Sequence, residues 1–386
     1  MSGIYLHIPF CKQACHYCNF HFSTSLKHKE VLIDAMLKEI EMRKDYLKTT
    51  ALESIYFGGG TPSLLTQRDL ERLFEKIYAK FSVVEGAEIT LEANPDDLDK
   101  SKLEILQQLP VNRLSIGVQS FFKEDLEFWN RAHNQTEAEA CIKAAQDAGF
   151  HNLTVDLIYG SPTTPDSHWK FNIEKLLAFE IPHLSCYALT VEEKTALAHF
   201  VNKGKTEAPS DEHAARQFEM LMEAMHENGY DHYEISNFAK PEFYAVHNAA
   251  YWKGKKYLGI GPAAHSFNGH SRQWNIANNS FYIKAVESLF RNEVPAKPLF
   301  EKEMLTTAQQ YNEYVMTGLR TIWGCSEEKI NAFGEIFKTY FPRKAQTYLA
   351  TGHMNYQSGN FTLTPKGKLL ADQIASQLFY LEEDNP

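Results

Sequence analysis

The 386-residue chain lacks an uninterrupted apolar run of the ~18 residues that a membrane-spanning helix needs. It also lacks a basic excess. Its 39 Lys and Arg stand against 49 Asp and Glu, for a formal net charge of −10. A domain-wide basic footprint is thereby excluded, and nucleic acid as the main partner with it. The opening stretch MSGIYLHIPF carries no basic n-region and no small-residue cleavage site, so a cytoplasmic location is expected. Cysteine is scarce, at six residues. In a reducing compartment these read as metal ligands or buried thiols rather than disulfides. Low-complexity segments are absent, and 44% hydrophobic with 23% charged residues is the profile of a globular protein.

What is present is an alternation. Six β-rich runs recur at 4–8, 54–58, 88–93, 113–119, 153–159 and 183–189. Between them, apolar residues fall at helical spacing, as in Val31, Leu32, Ala35, Met36 and Ile40. Thr66, Asp99 and Ser210 stand where helix N-caps belong. Strand–helix alternation implies βαβ units and a mainly parallel sheet, here an open (β/α)6 partial TIM barrel at 1–235. Residues 236–299 are rich in aromatics, Gly and Asn and read as a connecting region. Beyond it, 300–386 reads as a small helical, winged-helix-like domain. Helices are expected at 303–321, 326–340 and 342–351, a hairpin at 353–363 with its turn at Ser358-Gly359-Asn360, and a closing helix from Thr364-Pro365.

Three of the six cysteines crowd into HIPF-Cys11-Lys-Gln-Ala-Cys15-His-Tyr-Cys18, just after the first strand. Thiolates are the ligands of iron–sulfur clusters, and three of them leave one iron uncovered. A zinc site completed by His7, His16 or His21 and a set of buried thiols are the alternatives on spacing alone. The scattered Cys141, Cys186 and Cys325 read as small inert hydrophobes.

CxxxCxxC after the first strand of a βα array resembles the radical S-adenosylmethionine (SAM) superfamily. The longer string IYLHIPFCKQACHYC is similar to the branch that contains oxygen-independent coproporphyrinogen III dehydrogenase. The resemblance covers nearly the whole chain. It implies a 4Fe-4S cluster on Cys11, Cys15 and Cys18, with SAM at the open iron. It further implies SAM-facing roles for Tyr5, Tyr17, the glycine motif Gly59, Gly60 and Thr61, and the strand residue Glu92. Gln119, Arg131 and Asp156 match positions that contact a second SAM in the dehydrogenase branch. A lone Asp in the apolar run LTVDLIYG is costly to bury unpartnered, and Arg131 is its natural partner on this reading. With a reduced cluster, the family's chemistry is cleavage of SAM to a 5′-deoxyadenosyl radical.

Two departures separate the chain from that dehydrogenase. Phe20 stands where its pattern has a fourth cysteine, and no extension precedes the first strand. Residues 247–252, His-Asn-Ala-Ala-Tyr-Trp, instead match HNxxYW, the signature of the HemW-type heme chaperones. That resemblance implies heme as a third ligand, delivered to acceptor hemoproteins such as respiratory cytochromes, with peripheral contact at membrane targets. His247, Tyr251 and Trp252 are the heme candidates, since imidazole is a common axial ligand and flat rings pack on porphyrin. His265, in a glycine-rich loop, is a second candidate. Oxidative decarboxylation of coproporphyrinogen III is the alternative function, and whether the site turns over stays open at this level.

Overall fold

The computed structural model describes residues 2–48 and 51–381. A twelve-stranded sheet organises the chain, with strands β1 Ser2–Ile8, β2 Leu52–Gly59, β3 Val83–Ala93, β4 Arg113–Gln119, β5 Leu153–Tyr159 and β6 His183–Ala188 at its centre. These six run parallel in sequence order, as right-handed βαβ units require. Their helices cover the apolar face. On β1, Ile4, Leu6 and Ile8 are buried against Leu32, Ile33, Met36 and Ile40 of the helix Lys29–Met42.

Alternation sends the other parity to the concave face. Register aligns Tyr5 with Tyr56, Tyr56 with Thr90 and Thr90 with Arg113. One step along, Glu92 lies beside Ser115, and Asp156 beside Ser185. The inner face of the open barrel is therefore polar although each strand reads as half apolar. Expected helix starts hold: Thr66 forms a capping box with Asp69, and Asp99 and Ser210 accept from Lys102 and His213 backbone N–H groups.

Residues 236–299 do more than connect. β8 Asn237–Ala239 adds antiparallel to β6, and β7 Asp231–Glu234, just before this region, pairs antiparallel with β8 at the outer edge. On the opposite edge, β9 Lys256–Ile260 pairs parallel with β1. β10 His265–Phe267, β11 Ser271–Asn275 and β12 Phe300–Met304 continue antiparallel. The sheet is open, with β7 and β12 at its edges. A buried carboxylate anchors the added edge to the core. Glu39 accepts from Asn275 Nδ2 at 2.8 Å, Gly261 N at 2.9 Å and Tyr282 Oη at 2.6 Å.

After β12 a second core gathers around Tyr311, Phe337 and Phe341, with a small sheet of β13 Cys325–Ser326, β14 Met354–Gln357 and β15 Asn360–Leu363. Three sequence boundaries are corrected here. The helix expected at 303–321 is Thr307–Leu319, because Phe300–Met304 pairs with β11 and Thr306 caps the helix. The break expected before Pro342 falls at Gly334 instead, whose φ of 137° suits glycine alone. The helix Glu335–Ala350 then runs through Pro342. The closing helix from Pro365 stops at Lys368 and resumes as Ala371–Gln377.

Candidate functional site

The cluster loop leaves β1 and is tied down on both sides. Cys11 N donates to Ser23 O at 3.1 Å, and His16 N to Trp129 O at 3.0 Å. Cys11, Cys15 and Cys18 line one cavity of about 470 Å³. Burial pushes the Cys11 thiol up to about 11 and raises Cys18, each with neighbouring thiols adding to the rise. Anionic ligands therefore need a positively charged group to neutralise them, which an iron cluster supplies on binding. Among the described residues, no group of three or more His, Cys, Asp or Glu side chains is arranged to hold a single metal ion. Of the nearby histidines, His7 engages both ring nitrogens, with Tyr5 Oη and His21 O, and His16 Nδ1 bonds to Phe128 O at 2.8 Å. Three thiols around one open cavity fit an iron–sulfur cluster with an uncovered iron.

Gly59, Gly60 and Thr61 follow β2 into the same cavity. Gly60 N donates to Ile8 O at 2.9 Å, and a Cβ there would lie 2.6 Å from the backbone oxygens of Ile8 and Phe10. Only glycine lets the motif close on the cysteine loop. Tyr17, Glu92, Gln119, Arg131 and Asp156 line the cavity as well. Gln119 has φ of 69° at a register irregularity between β4 and β5, a strained conformation of the kind that collects at ligand sites. Burial, with Asp156 nearby, pushes the Glu92 carboxyl up to about 7 against the pull of its Tyr56 hydrogen bond. Burial likewise pushes Asp156 up to about 6.

Three expected placements need correction. Arg131 is not the ion-pair partner of Asp156. Its guanidinium donates to Asn94 Oδ1 and Gly117 O, both at 2.7 Å, and to Cys15 Sγ at 3.2 Å. It fastens the cluster loop, while Asp156 is held by Ser115 and Ser185 hydroxyls. Tyr5 lies outside the cluster cavity and lines the neighbouring one, donating to or accepting from His7 Nδ1 at 3.2 Å. His247 is 2% exposed, and both its nitrogens are engaged: Nδ1 with Ser54 Oγ at 2.7 Å, Nε2 with Tyr251 Oη at 2.8 Å. An iron ligand needs a free ring nitrogen, so His247 as it stands offers none. Sequence reasoning missed Asn94, Ser115, Gly117 and Tyr187, which also line the cavity. Strand parity with Glu92 and Asp156 was the signal available for Ser115 and Tyr187.

A second cavity, of about 1200 Å³, adjoins the first at Asn19 and Phe20. Its walls come from β1, the loop after Cys18, the HNAAYW helix Val246–Trp252, β9 to β11, and the C-terminal helices. Tyr251 and Trp252 line it; His247 does not. The C-terminal core contributes Tyr314, Lys329 and Phe333 and so completes the chamber.

Known proteins place this geometry. Residues 5–176 match the Radical SAM superfamily. The chain is 34% identical to the heme chaperone HemW of Bacillus subtilis (strain 168), over 97% of this chain and 98% of that protein. It is 31% identical to the heme chaperone HemW of Lactococcus lactis, over 100% of this chain and 98% of that one. The radical SAM enzyme coproporphyrinogen III oxidase (HemN) of Escherichia coli has the same fold, with a TM-score of 0.83 at 22% identity, covering 98% and 90% of the two chains. The chain belongs to the HemW family of the radical SAM superfamily.

Proposed function

We propose that this protein is a heme chaperone. It would hold a 4Fe-4S cluster on Cys11, Cys15 and Cys18, bind SAM in the adjoining cavity, and carry heme to acceptor hemoproteins. Likeness to HemW heme chaperones over the full chain length carries this reading. The larger cavity supports it, since drug-sized ligands occupy sites of about 300–1,000 Å³ and this one exceeds them. For SAM, we assign the glycine motif Gly59, Gly60 and Thr61 together with Tyr17, Glu92, Gln119, Arg131 and Asp156, which share the cluster's cavity. Work in the cytoplasm, respiratory cytochromes as acceptors and peripheral contact with their membranes belong to the same proposal. Among the described residues no helix is long and apolar enough to cross a membrane.

Oxidative decarboxylation of coproporphyrinogen III is the second reading, favoured by the shared fold. Phe20, 67% exposed between the two cavities, argues against it, because the dehydrogenase pattern has cysteine there. The experiment has two arms on anaerobically reconstituted protein. In one, heme is titrated and the Soret band followed. In the other, SAM, reductant and coproporphyrinogen III are supplied and protoporphyrinogen and 5′-deoxyadenosine are measured. Stoichiometric heme uptake without turnover is expected. Turnover with no heme uptake would replace the chaperone with the enzyme.

A further inference from the structure

Four histidines stand in or beside the larger cavity, and their hydrogen bonds sort them. His7 engages both ring nitrogens, with Tyr5 Oη and His21 O. His247 engages both, as described. His21 spends Nε2 on Asn279 Oδ1 at 2.7 Å. His265 lines the cavity from β10, and among the described residues neither of its ring nitrogens makes a hydrogen bond. Its ring is backed by Trp274 across the β10–β11 pair, centroids 6.3 Å apart and planes 29° apart. A supported imidazole with both nitrogens free, facing a chamber lined by aromatic rings, is what an axial iron site requires.

The cavity's cations add a second, independent observation. Arg272 is neutralised by Glu313, at 2.6 and 2.7 Å. Lys194 and Lys329 also line the cavity, and among the described residues neither has a carboxylate partner. Lys329 lies instead over the Tyr314 ring at 4.2 Å, with Lys255 close enough to disfavour its charge further. Both lysines are exposed at the chamber's surface, so their ammonium groups stay free to bind an anion that enters it.

Resting on the heme-chaperone reading, we propose that an iron porphyrin occupies this larger cavity, with His265 as its iron ligand and Lys194 and Lys329 binding its carboxylates. The HNAAYW helix then serves heme through the ring faces of Tyr251 and Trp252, and His247 holds that helix to the barrel floor. The cluster stays behind Asn19 and Phe20, on the other side of the wall the two cavities share.

The test titrates heme into the full chain and its variants, following the Soret band and the spin state by electron paramagnetic resonance. His265→Ala should lower heme affinity at least tenfold and shift the band, and added imidazole should restore the wild-type spectrum. His265→Met, which keeps the bulk and changes the donor atom, should give a displaced band at near-normal protein stability. The double variant Lys194→Ala/Lys329→Ala should weaken heme several-fold while leaving heme dimethyl ester, which lacks the charges, unchanged. Heme bound by both His265 variants with wild-type band and affinity would overturn the assignment and leave the chaperone reading standing. Wild-type protein that takes up no heme would remove both.

Discussion

At the scale of single residues, the cluster claim is the most exposed to test. Replacing Cys11, Cys15 and Cys18 together by Ser should reduce bound iron to background after reconstitution, read by iron content and loss of visible absorption. Glu92 gives a pH signature of its own. Its carboxyl titrates near 7 in the fold, against an ordinary 4.5. Below about 4.5 it is protonated folded or unfolded, so its contribution is at its most favourable and does not vary with pH. As pH rises from 4.5 towards 7, the unfolded chain releases a proton that the folded chain keeps, so stability falls. Buried neutral histidines such as His247 push the other way over the same window, so the Glu92 effect is read as a difference: the denaturation midpoint of ligand-free Glu92→Gln should gain on that of wild type as pH rises through it. A difference between the two proteins that does not change between those pH values would count against this burial. The cysteines and Glu92 were legible because their spacing and strand position are local. The partner of Arg131 was not, since its hold on Cys15 Sγ spans 116 residues of sequence.

At the scale of elements, the HNAAYW helix was visible as a motif, but the partners of its histidine were not. Its first turn is pinned when Glu88 accepts from Val246 N at 2.8 Å and His247 N at 2.9 Å. Its imidazole stacks on Tyr56 at 5.0 Å, and a Cβ on Gly3 would come within 3.0 Å of it. Burial and the Arg113 charge push this ring down to about 3, so it stays neutral. Replacing His247 by Ala leaves the Ser54 and Tyr251 hydroxyls without their buried partner. The cost should be about 1–3 kcal/mol in denaturant unfolding. A substitution that leaves stability untouched would show that the ring is not holding the helix. Thr66→Ala, which removes a capping box on the helix Gln67–Lys80, should cost about 1 kcal/mol by the same measurement.

At the scale of the molecule, one buried network joins the helix after β1 to the added sheet edge. Glu39, with no exposed surface, is bonded to Gly261 and Tyr282, 222 and 243 residues away. Arg43 beside it donates to Gln273 Oε1 at 2.8 Å and Ser266 Oγ at 3.2 Å. Glu39→Ala leaves that guanidinium buried without its carboxylate and should cost about 3–5 kcal/mol. Hydrogen exchange should then speed up in β9–β11 before the central strands. Uniform loosening of the whole sheet would contradict a local anchor.

Alternation of six strands with helices, the cysteine spacing and the glycine motif were all determined by the sequence by itself, because each is written in residues a few positions apart. Periodicity gives the face of a strand, and caps give the start of a helix. Tertiary structure alone decided which histidine keeps a free nitrogen, which lysines go without a carboxylate, and that residues 236–299 extend the sheet at both edges. Those outcomes depend on contacts between distant segments and on competition for hydrogen-bond partners, and no local pattern encodes which partner wins.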